Sequence, residues 1–232
     1  GSNLLIRSDV VPGLVIHLVQ PSFAEIRIQG ERVTAGAGAK LGHVISSSVR
    51  EGLAGLETLV GIPGTIGGGL RGNAGGRSGD IGQWTCRATL MTRDGEILER
   101  SDDELVFAYR QSNLDELVIL SGEFKLVPDD PAELTKRMQK LWIVKKANQP
   151  LSHQSAGCIF KNPRGMSAGM LIDQAGLKGN RIGGAEVSDR HANFIIADAD
   201  ATSQQVLQLI ELIKERVADK MGVELETEIE IW

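Results

Sequence analysis

The chain has 232 residues, 41% of them apolar and 24% charged, with a formal net charge of −5, enough for a sizeable core divided into two or three compact units. An acidic balance argues against a nucleic-acid surface, which needs a basic face, and no apolar run reaches the length of a membrane span. The two cysteines, Cys86 and Cys158, are far apart and lack metal-ligand spacing, so neither a disulfide scaffold nor a zinc site is indicated, and a reducing cytoplasm fits best.

Gly1-Ser2-Asn3 opens the chain as a turn of small residues, a form whose main-chain N–H groups can meet a phosphate. Residues 14–19, 24–29 and 32–35 are β-branched or alternating and are broken by Pro21, Gly30 and Gly36, which predicts three short strands. Gly36-Ala37-Gly38-Ala39-Lys40-Leu41-Gly42 is close to a dinucleotide fingerprint, but its third glycine comes one position late. It reads as a turn near a ligand, leading into a helix over 40–51.

The densest signal is Gly61-Ile62-Pro63-Gly64-Thr65-Ile66-Gly67-Gly68-Gly69-Leu70-Arg71-Gly72-Asn73-Ala74-Gly75-Gly76. So much glycine predicts neither helix nor strand, and it lets a ligand lie directly against the main chain. Flexible linkers carry Ser, Pro and charge, whereas this run is interleaved with Ile62, Ile66 and Leu70 and has one cation, Arg71. It reads as a loop that cradles a bulky anion.

Residues 84–92, 96–100 and 117–126 read as antiparallel strands, with Asp94-Gly95 a hairpin turn. Phe107-Ala108-Tyr109-Arg110-Gln111-Ser112 reads as a short helix or loop, and Val127-Pro128-Asp129-Asp130-Pro131 as a boundary. An amphipathic helix over 132–146 places Leu134, Met138, Leu141 and Trp142 on one face. Gln154-Ser155-Ala156-Gly157-Cys158-Ile159-Phe160-Lys161-Asn162-Pro163 concentrates small, reactive and polar side chains. A short helix over 167–174 stops at Gly176, and 191–197 reads as a strand. A long helix over 202–221 is capped by Thr202 or Ser203, has Val206, Leu207, Ile210 and Ile213 as its apolar face, and ends at Gly222. Residues 225–231 alternate against Glu226, Glu228 and Glu230, a strand with one acidic face. Taken singly, Arg110 reads as a surface arginine, Cys158 as a small buried apolar residue, Glu228 as part of a solvated face and His191 as a histidine satisfied by backbone.

Seven segments taken together say more. Gly1-Ser2-Asn3-Leu4-Leu5, Gly61-Ile62-Pro63-Gly64-Thr65-Ile66-Gly67-Gly68, Asn73-Ala74-Gly75, Tyr109-Arg110-Gln111-Ser112, Ser155-Ala156-Gly157-Cys158-Ile159-Phe160-Lys161-Asn162-Pro163, His191-Ala192-Asn193-Phe194 and Leu225-Glu226-Thr227-Glu228-Ile229 occur in this order. The chain thereby resembles the UDP-N-acetylenolpyruvoylglucosamine reductase (MurB) family over nearly its whole length. The resemblance implies an α+β fold with a two-part FAD-binding region, vanillyl-alcohol-oxidase/PCMH-like, plus a C-terminal α+β substrate-binding domain. Residues 1–20 would be the remainder of the first FAD-binding subdomain, whose N-terminal part looks missing. Residues 21–130 would be the second, completed by the C-terminal strand 223–232, and 131–222 the substrate-binding domain. The short stretch after Cys158 resembles the compact type of the family.

The activity so implied is NADPH-dependent reduction of UDP-N-acetylglucosamine enolpyruvate through FAD, in peptidoglycan precursor synthesis, by a cytoplasmic monomer without metal, membrane or nucleic-acid partners. FAD would rest on Gly1, Ser2, Asn3, Gly61, Ile62, Pro63, Gly64, Thr65, Ile66, Gly67, Gly68, Asn73 and Gly75. Arg110 would face the substrate carboxylate, Glu228, kept neutral by burial, would donate to the developing enediolate, and Cys158 would be the proton donor where most of the family has serine. Tyr109, Lys146, Asn162 and His191 would contact the sugar nucleotide. Two competing readings stand beside this one: another FAD oxidoreductase of the same fold acting on a small alcohol or hydroxy acid, and a nucleotide-binding module without turnover.

Overall fold

Alternate residues carry the largest sheet: Val33 and Ala35, Ala88 and Leu90, and Phe124 are fully buried, while Thr34, Thr89 and Glu123 between them are less so. That period of two belongs to strands with one face covered. The computed structural model describes residues 1–7, 11–76 and 78–232. It opens with β1 (Leu4–Leu5), whose partner comes only at the far end of the chain. There follow β2 (Ile26–Gln29), β3 (Arg32–Gly36), α1 (Leu41–Arg50), β4 (Leu53–Ala54), a 3-10 turn at Leu56–Leu59, and α2 (Ile66–Arg71). Next come β5 (Gly75–Gly76), β6 (Gly79–Asp80), β7 (Thr85–Met91), β8 (Ile97–Ser101), β9 (Phe107–Ala108), β10 (Gln111–Ser112), β11 (Val118–Lys125), β12 (Val127–Pro128) and α3 (Pro131–Asn148). Strands β2, β3, β11, β7 and β8 lie side by side in that order, all antiparallel.

The glycine run departs from expectation, because its middle is helical. Ile66 and Leu70 are fully buried, and the N–H groups of Ile66 and Gly67 donate to the carbonyls of Ala39 and Ala37, each at 2.9 Å. Tertiary burial of two large side chains and these bonds hold a helix that glycine's intrinsic propensity opposes. Small partners make the packing possible. A Cβ at Gly122 would come within 2.7 Å of Leu70 Cδ1, and one at Gly67 within 2.9 Å of Ala37 Cβ, so α2 lies directly on the sheet.

The other predicted elements differ in smaller ways. Residues 14–19 are irregular: Leu14, Val15, Ile16 and Val19 are exposed and Leu18 alone of the stretch packs against the core, so alternation there does not mark a strand. The segment 107–112 is the hairpin β9–β10, where the sequence suggests a helix or loop. Helix α3 buries Leu134 fully and Met138 in part, but leaves Trp142 41% exposed.

The second half adds α4 (Ala168–Gln174), β13 (Arg181–Ile182), β14 (Ala185–Val187), β15 (Ile195–Ala197), α5 (Ser203–Met221) and β16 (Glu230–Ile231). Strands β13, β14 and β15 form a small antiparallel sheet, and the apolar residues of α4 and α5 belong to the same core cluster as theirs. A reciprocal capping box of Thr202 and Gln205 starts α5, and left-handed Gly222 (φ 66°) ends it. The buried face of α5 is Val206, Leu209, Ile210, Ile213 and Val217; Leu207, predicted for it, is only half-buried.

The chain divides into two compact units: Gly1–Leu14 with Lys145–Trp232, and Val15–Val144. The sequence predicts three segments, with 223–232 completing 21–130. The structure instead puts 223–232 with 1–14, because β16 runs parallel to β1 and the N–H of Trp232 donates to the carbonyl of Leu5 at 2.9 Å.

Within the unit Val15–Val144, Glu57 is 2% exposed. Its carboxylate accepts the N–H of Gly55 at 2.5 Å and Nη1 of Arg137 at 2.9 Å, and Nη2 of Arg137 reaches Asp129 at 3.0 Å. Arg137→Ala strands the buried Glu57 carboxylate and is expected to lower the midpoint of urea unfolding, by less than the loss of a fully buried pair would because the guanidinium is half-exposed. Adding Glu57→Gln should recover part of that loss, and strictly additive losses would count against the coupling.

Candidate active site

The glycine segment of the unit Val15–Val144 is fixed at its start by main-chain bonds. Gly61 and Gly64 have φ of 79° and 110°, the N–H of Ile62 donates to the carbonyl of Leu59, and the carbonyl of Gly64 accepts from Leu41. Pro63 is exposed, and Thr65, bridged to Lys40, stands at the N-cap of α2. Gly68 is exposed, and a Cβ there would meet nothing nearer than Thr65 Oγ1 at 3.8 Å. An anionic ligand can therefore approach the main chain of this turn directly.

The far end of the segment is tied to the hairpin that carries Arg110. Asn73 is 3% exposed and left-handed (φ 43°). Its Oδ1 accepts the N–H of Gly82 at 3.0 Å, and its Nδ2 donates to the carbonyl of Ala108 at 2.9 Å. Gly75 pairs with Asp80 in β6, and its carbonyl accepts Nη1 of Arg110 at 2.9 Å. Arg110, half-buried at the turn between β9 and β10 with φ 57°, stands with Cζ 5.4 Å from the centre of the exposed Tyr109 ring. The structure thus brings Arg110 and Tyr109 to the end of the glycine segment.

In the other unit, Cys158 and Glu228 lie on neighbouring segments. Cys158, half-buried, bridges Phe194, and Phe160 bridges Thr227. Between them, the N–H of Ile159 donates to the carbonyl of Asn193 at 2.8 Å, and the carbonyl of Ile159 accepts the N–H of Glu228 at 2.7 Å. Asn193, 3% exposed, clamps Phe160 from both sides: Oδ1 accepts its N–H at 3.0 Å and Nδ2 donates to its carbonyl at 2.8 Å. Nδ1 of His191 faces the N–H of Asn193 at 3.3 Å, which assigns it as an acceptor, and the ring meets Phe194 edge-on at 4.9 Å.

The Gly1-Ser2-Asn3 turn joins the same group. Gly1 is exposed and Ser2 half-buried; Asn3 Nδ2 donates to the carbonyl of Glu228 at 3.0 Å, and the carbonyl of Asn3 accepts from Glu230 at 2.9 Å. Asn162 is exposed and its Oδ1 accepts the N–H of Ala168 at 3.0 Å, at the start of α4. Lys146 is exposed near the end of α3. Glu226, paired with Lys161, and Glu230 are exposed, as a solvated face requires. Sequence reasoning missed Asn193 and Glu57 as anchors. The signals were present in His191-Ala192-Asn193-Phe194 and in Gly55-Leu56-Glu57, just ahead of the glycine run.

Cys86 contrasts with Cys158. It is buried, its Sγ donates to Glu123 Oε1 at 3.3 Å, and Arg32 Nη1 is 3.4 Å away. Burial, followed by the Glu123 carboxylate, pushes this thiol up to about 11. Among the described residues, no group of three or more His, Cys, Asp or Glu could hold a metal ion.

Comparison with known proteins agrees along the chain. Residues 1–101 match a family described as FAD binding domain, and residues 149–232 match the UDP-N-acetylenolpyruvoylglucosamine reductase, C-terminal domain. The UDP-N-acetylenolpyruvoylglucosamine reductase of Bradyrhizobium sp. (strain ORS 278) is 40% identical over 230 residues, covering 99% of this chain and 75% of that protein. UDP-N-acetylenolpyruvoylglucosamine reductase 2 of Symbiobacterium thermophilum is 42% identical over 234 residues, covering 100% and 76%. The crystal structure of UDP-N-acetylenolpyruvylglucosamine reductase (MurB) from Thermus caldophilus superposes with a TM-score of 0.89 at 38% identity, covering 100% of this chain and 83% of that one.

Two outcomes follow from this geometry. Asn193→Ala leaves both main-chain groups of Phe160 without their side-chain partners, so stability should fall by about 2 kcal/mol and amide exchange at Phe160 should accelerate; unchanged exchange there would contradict the clamp. Because its pKa is raised, Cys86 is protonated at pH 8, with roughly one thiol in a thousand ionised. Iodoacetamide at pH 8 should leave Cys86 unmodified in the folded protein, read by peptide mass spectrometry, with labelling appearing only as the pH rises toward 11.

Proposed function

Because the chain belongs to the UDP-N-acetylenolpyruvoylglucosamine reductase family, we propose that it reduces UDP-N-acetylglucosamine enolpyruvate to UDP-N-acetylmuramate, with NADPH as reductant and FAD as carrier, for peptidoglycan precursor synthesis. The observation that carries this is the union, on one chain, of a match to the FAD binding domain and a match to the reductase's own C-terminal domain. Flavin binding falls to residues 1–20 and 21–130, and sugar-nucleotide binding to 131–222. The enzyme acts as a monomer in the cytoplasm. No helix among the described residues is long and apolar enough to cross a membrane.

The residues suit the cofactor. The main chain at Gly68 is open to approach, so an anionic pyrophosphate can rest on Gly61, Ile62, Pro63, Gly64, Thr65, Ile66, Gly67 and Gly68, with Gly1, Ser2, Asn3, Asn73 and Gly75 as further contacts. When bound, FAD supplies hydride transfer, from NADPH to the terminal methylene carbon of the enolpyruvyl ether. That addition sends the electron pair of the carbon–carbon double bond onto the α-carbon and its carboxylate. Arg110 answers the charge with a guanidinium that stays ionised and matches two oxygens. Glu228, in its neutral form, donates a hydrogen bond to the developing enediolate. Cys158 then delivers its Sγ proton to the α-carbon and is reprotonated from solvent. A thiol, with an ordinary pKa of roughly 8.5, is a far better donor than an aliphatic hydroxyl. Tyr109, Lys146, Asn162 and His191 hold the sugar nucleotide, Lys146 at its diphosphate.

An anaerobic two-step titration tests the reading. Protein loaded with FAD should be yellow, NADPH should bleach it, and UDP-N-acetylglucosamine enolpyruvate should restore the colour. Cys158→Ala should leave bleaching intact and slow the restoration by on the order of a hundredfold. Restoration by a small keto acid or aldehyde in place of the enolpyruvyl nucleotide would favour a different flavin oxidoreductase, and failure to take up FAD a binding module.

A further inference from the structure

We infer that Asn73 is a positioning residue for Arg110, acting through the carbonyl of Ala108; the inference rests on the reading of Arg110 given above. The hairpin β9–β10 pairs only Phe107 with Ser112 and Ala108 with Gln111, and Arg110 sits at its turn. A ladder this short has no stability of its own, so the direction of the Arg110 side chain is set by whatever anchors the hairpin. The anchors converge on the segment that leaves α2. Asn73 Nδ2 donates to the carbonyl of Ala108 at 2.9 Å, Ser112 Oγ donates to the carbonyl of Arg71 at 2.9 Å, and Arg110 Nη1 reaches the carbonyl of Gly75 at 2.9 Å. Just beyond the hairpin, Arg71 Nη1 donates to the carbonyl of Leu114 at 3.1 Å.

Asn73 has the chemistry to organise the set. It is 3% exposed, and its left-handed backbone suits asparagine better than most other non-glycine residues. Its amide presents an acceptor to Gly82 and a donor to Ala108, so both ends are satisfied within the protein. Gly82 is itself under the hairpin: a Cβ there would lie 2.4 Å from Cγ of Phe107. One buried amide therefore joins the floor of the hairpin to the residue two places before Arg110. Displacing a catalytic group by about 1 Å can cost on the order of a hundredfold in rate, so the bond bears on chemistry as well as on folding.

Asn73→Asp isolates that bond. The change keeps the size, the tolerance of positive φ and the acceptor for Gly82, but turns an oxygen toward the carbonyl of Ala108. In the FAD-loaded enzyme, with rates taken per bound flavin, reoxidation by saturating UDP-N-acetylglucosamine enolpyruvate should fall about 30-fold, roughly ten times more than bleaching by NADPH does. Ser112→Ala, which loosens the same hairpin from Arg71, should slow the same step alone by about fivefold and serves if Asn73→Asp folds poorly. Weakened FAD binding with unchanged reoxidation per bound flavin would leave Asn73 a cofactor contact only and overturn the inference. Equal slowing of both half-reactions would overturn it as well. Arg110→Lys separates the two levels. If it slows reoxidation and neither other variant does, the inference alone fails; if it leaves reoxidation unchanged, the role of Arg110 fails and the inference with it.

Discussion

The fold of the unit Val15–Val144 depends on a place where side chains are missing. Leu70 occupies the space that a side chain on Gly122 would fill, and Gly67 meets Ala37 where a Cβ would clash. Helix α2 therefore rests on β11 and the end of β3 at backbone distance, with Ile66 and Leu70 sealed beneath it. Everything in the glycine segment takes its bearings from that contact: the turn before α2, because Gly64 is bonded to Leu41, and the turn after it, because Asn73 follows directly. A methyl group at Gly122 would have to push Leu70 aside, and the displacement would be passed to the turns on either side of α2.

Two buried asparagines, Asn73 and Asn193, fix the backbone next to Arg110 and Cys158. Asn73 joins Gly82 to Ala108 ahead of Arg110, and Asn193 holds both main-chain groups of Phe160 behind Cys158. More exposed, Asn3 ties its turn to the carbonyl of Glu228. An amide offers one donor face and one acceptor face without charge, so it can satisfy two opposed backbone groups in a dry place where a carboxylate would leave one of them repelled.

Much of this was legible in the sequence because it is local. The α5 caps are written as Thr202, Gln205 and Gly222, the β7–β8 turn as Asp94-Gly95, and the ordered motifs point to the family. Non-local terms decided the rest. Glycine density hid α2, because the burial that stabilises it comes from residues some fifty positions later in the chain, a separation that a window cannot see. The exposed run 14–19 has strand composition without a strand partner in the chain around it. On α5 the sequence places Val206, Ile210 and Ile213 correctly but takes Leu207 for Leu209, about 200° away around the helix, because both are leucine and only packing separates them.

The two cysteines show why environment and not residue type assigns chemistry. Cys86 has a carboxylate at hydrogen-bond distance and little solvent, so its thiolate is disfavoured twice, and Arg32 nearby offsets this only in part. Such a thiol keeps its proton and acts as packing. Cys158 lies instead on an irregular segment held by single bridges, half-exposed, one residue from the carbonyl that receives the N–H of Glu228. Its surroundings supply fixed backbone, and the residue as a whole is only half-buried.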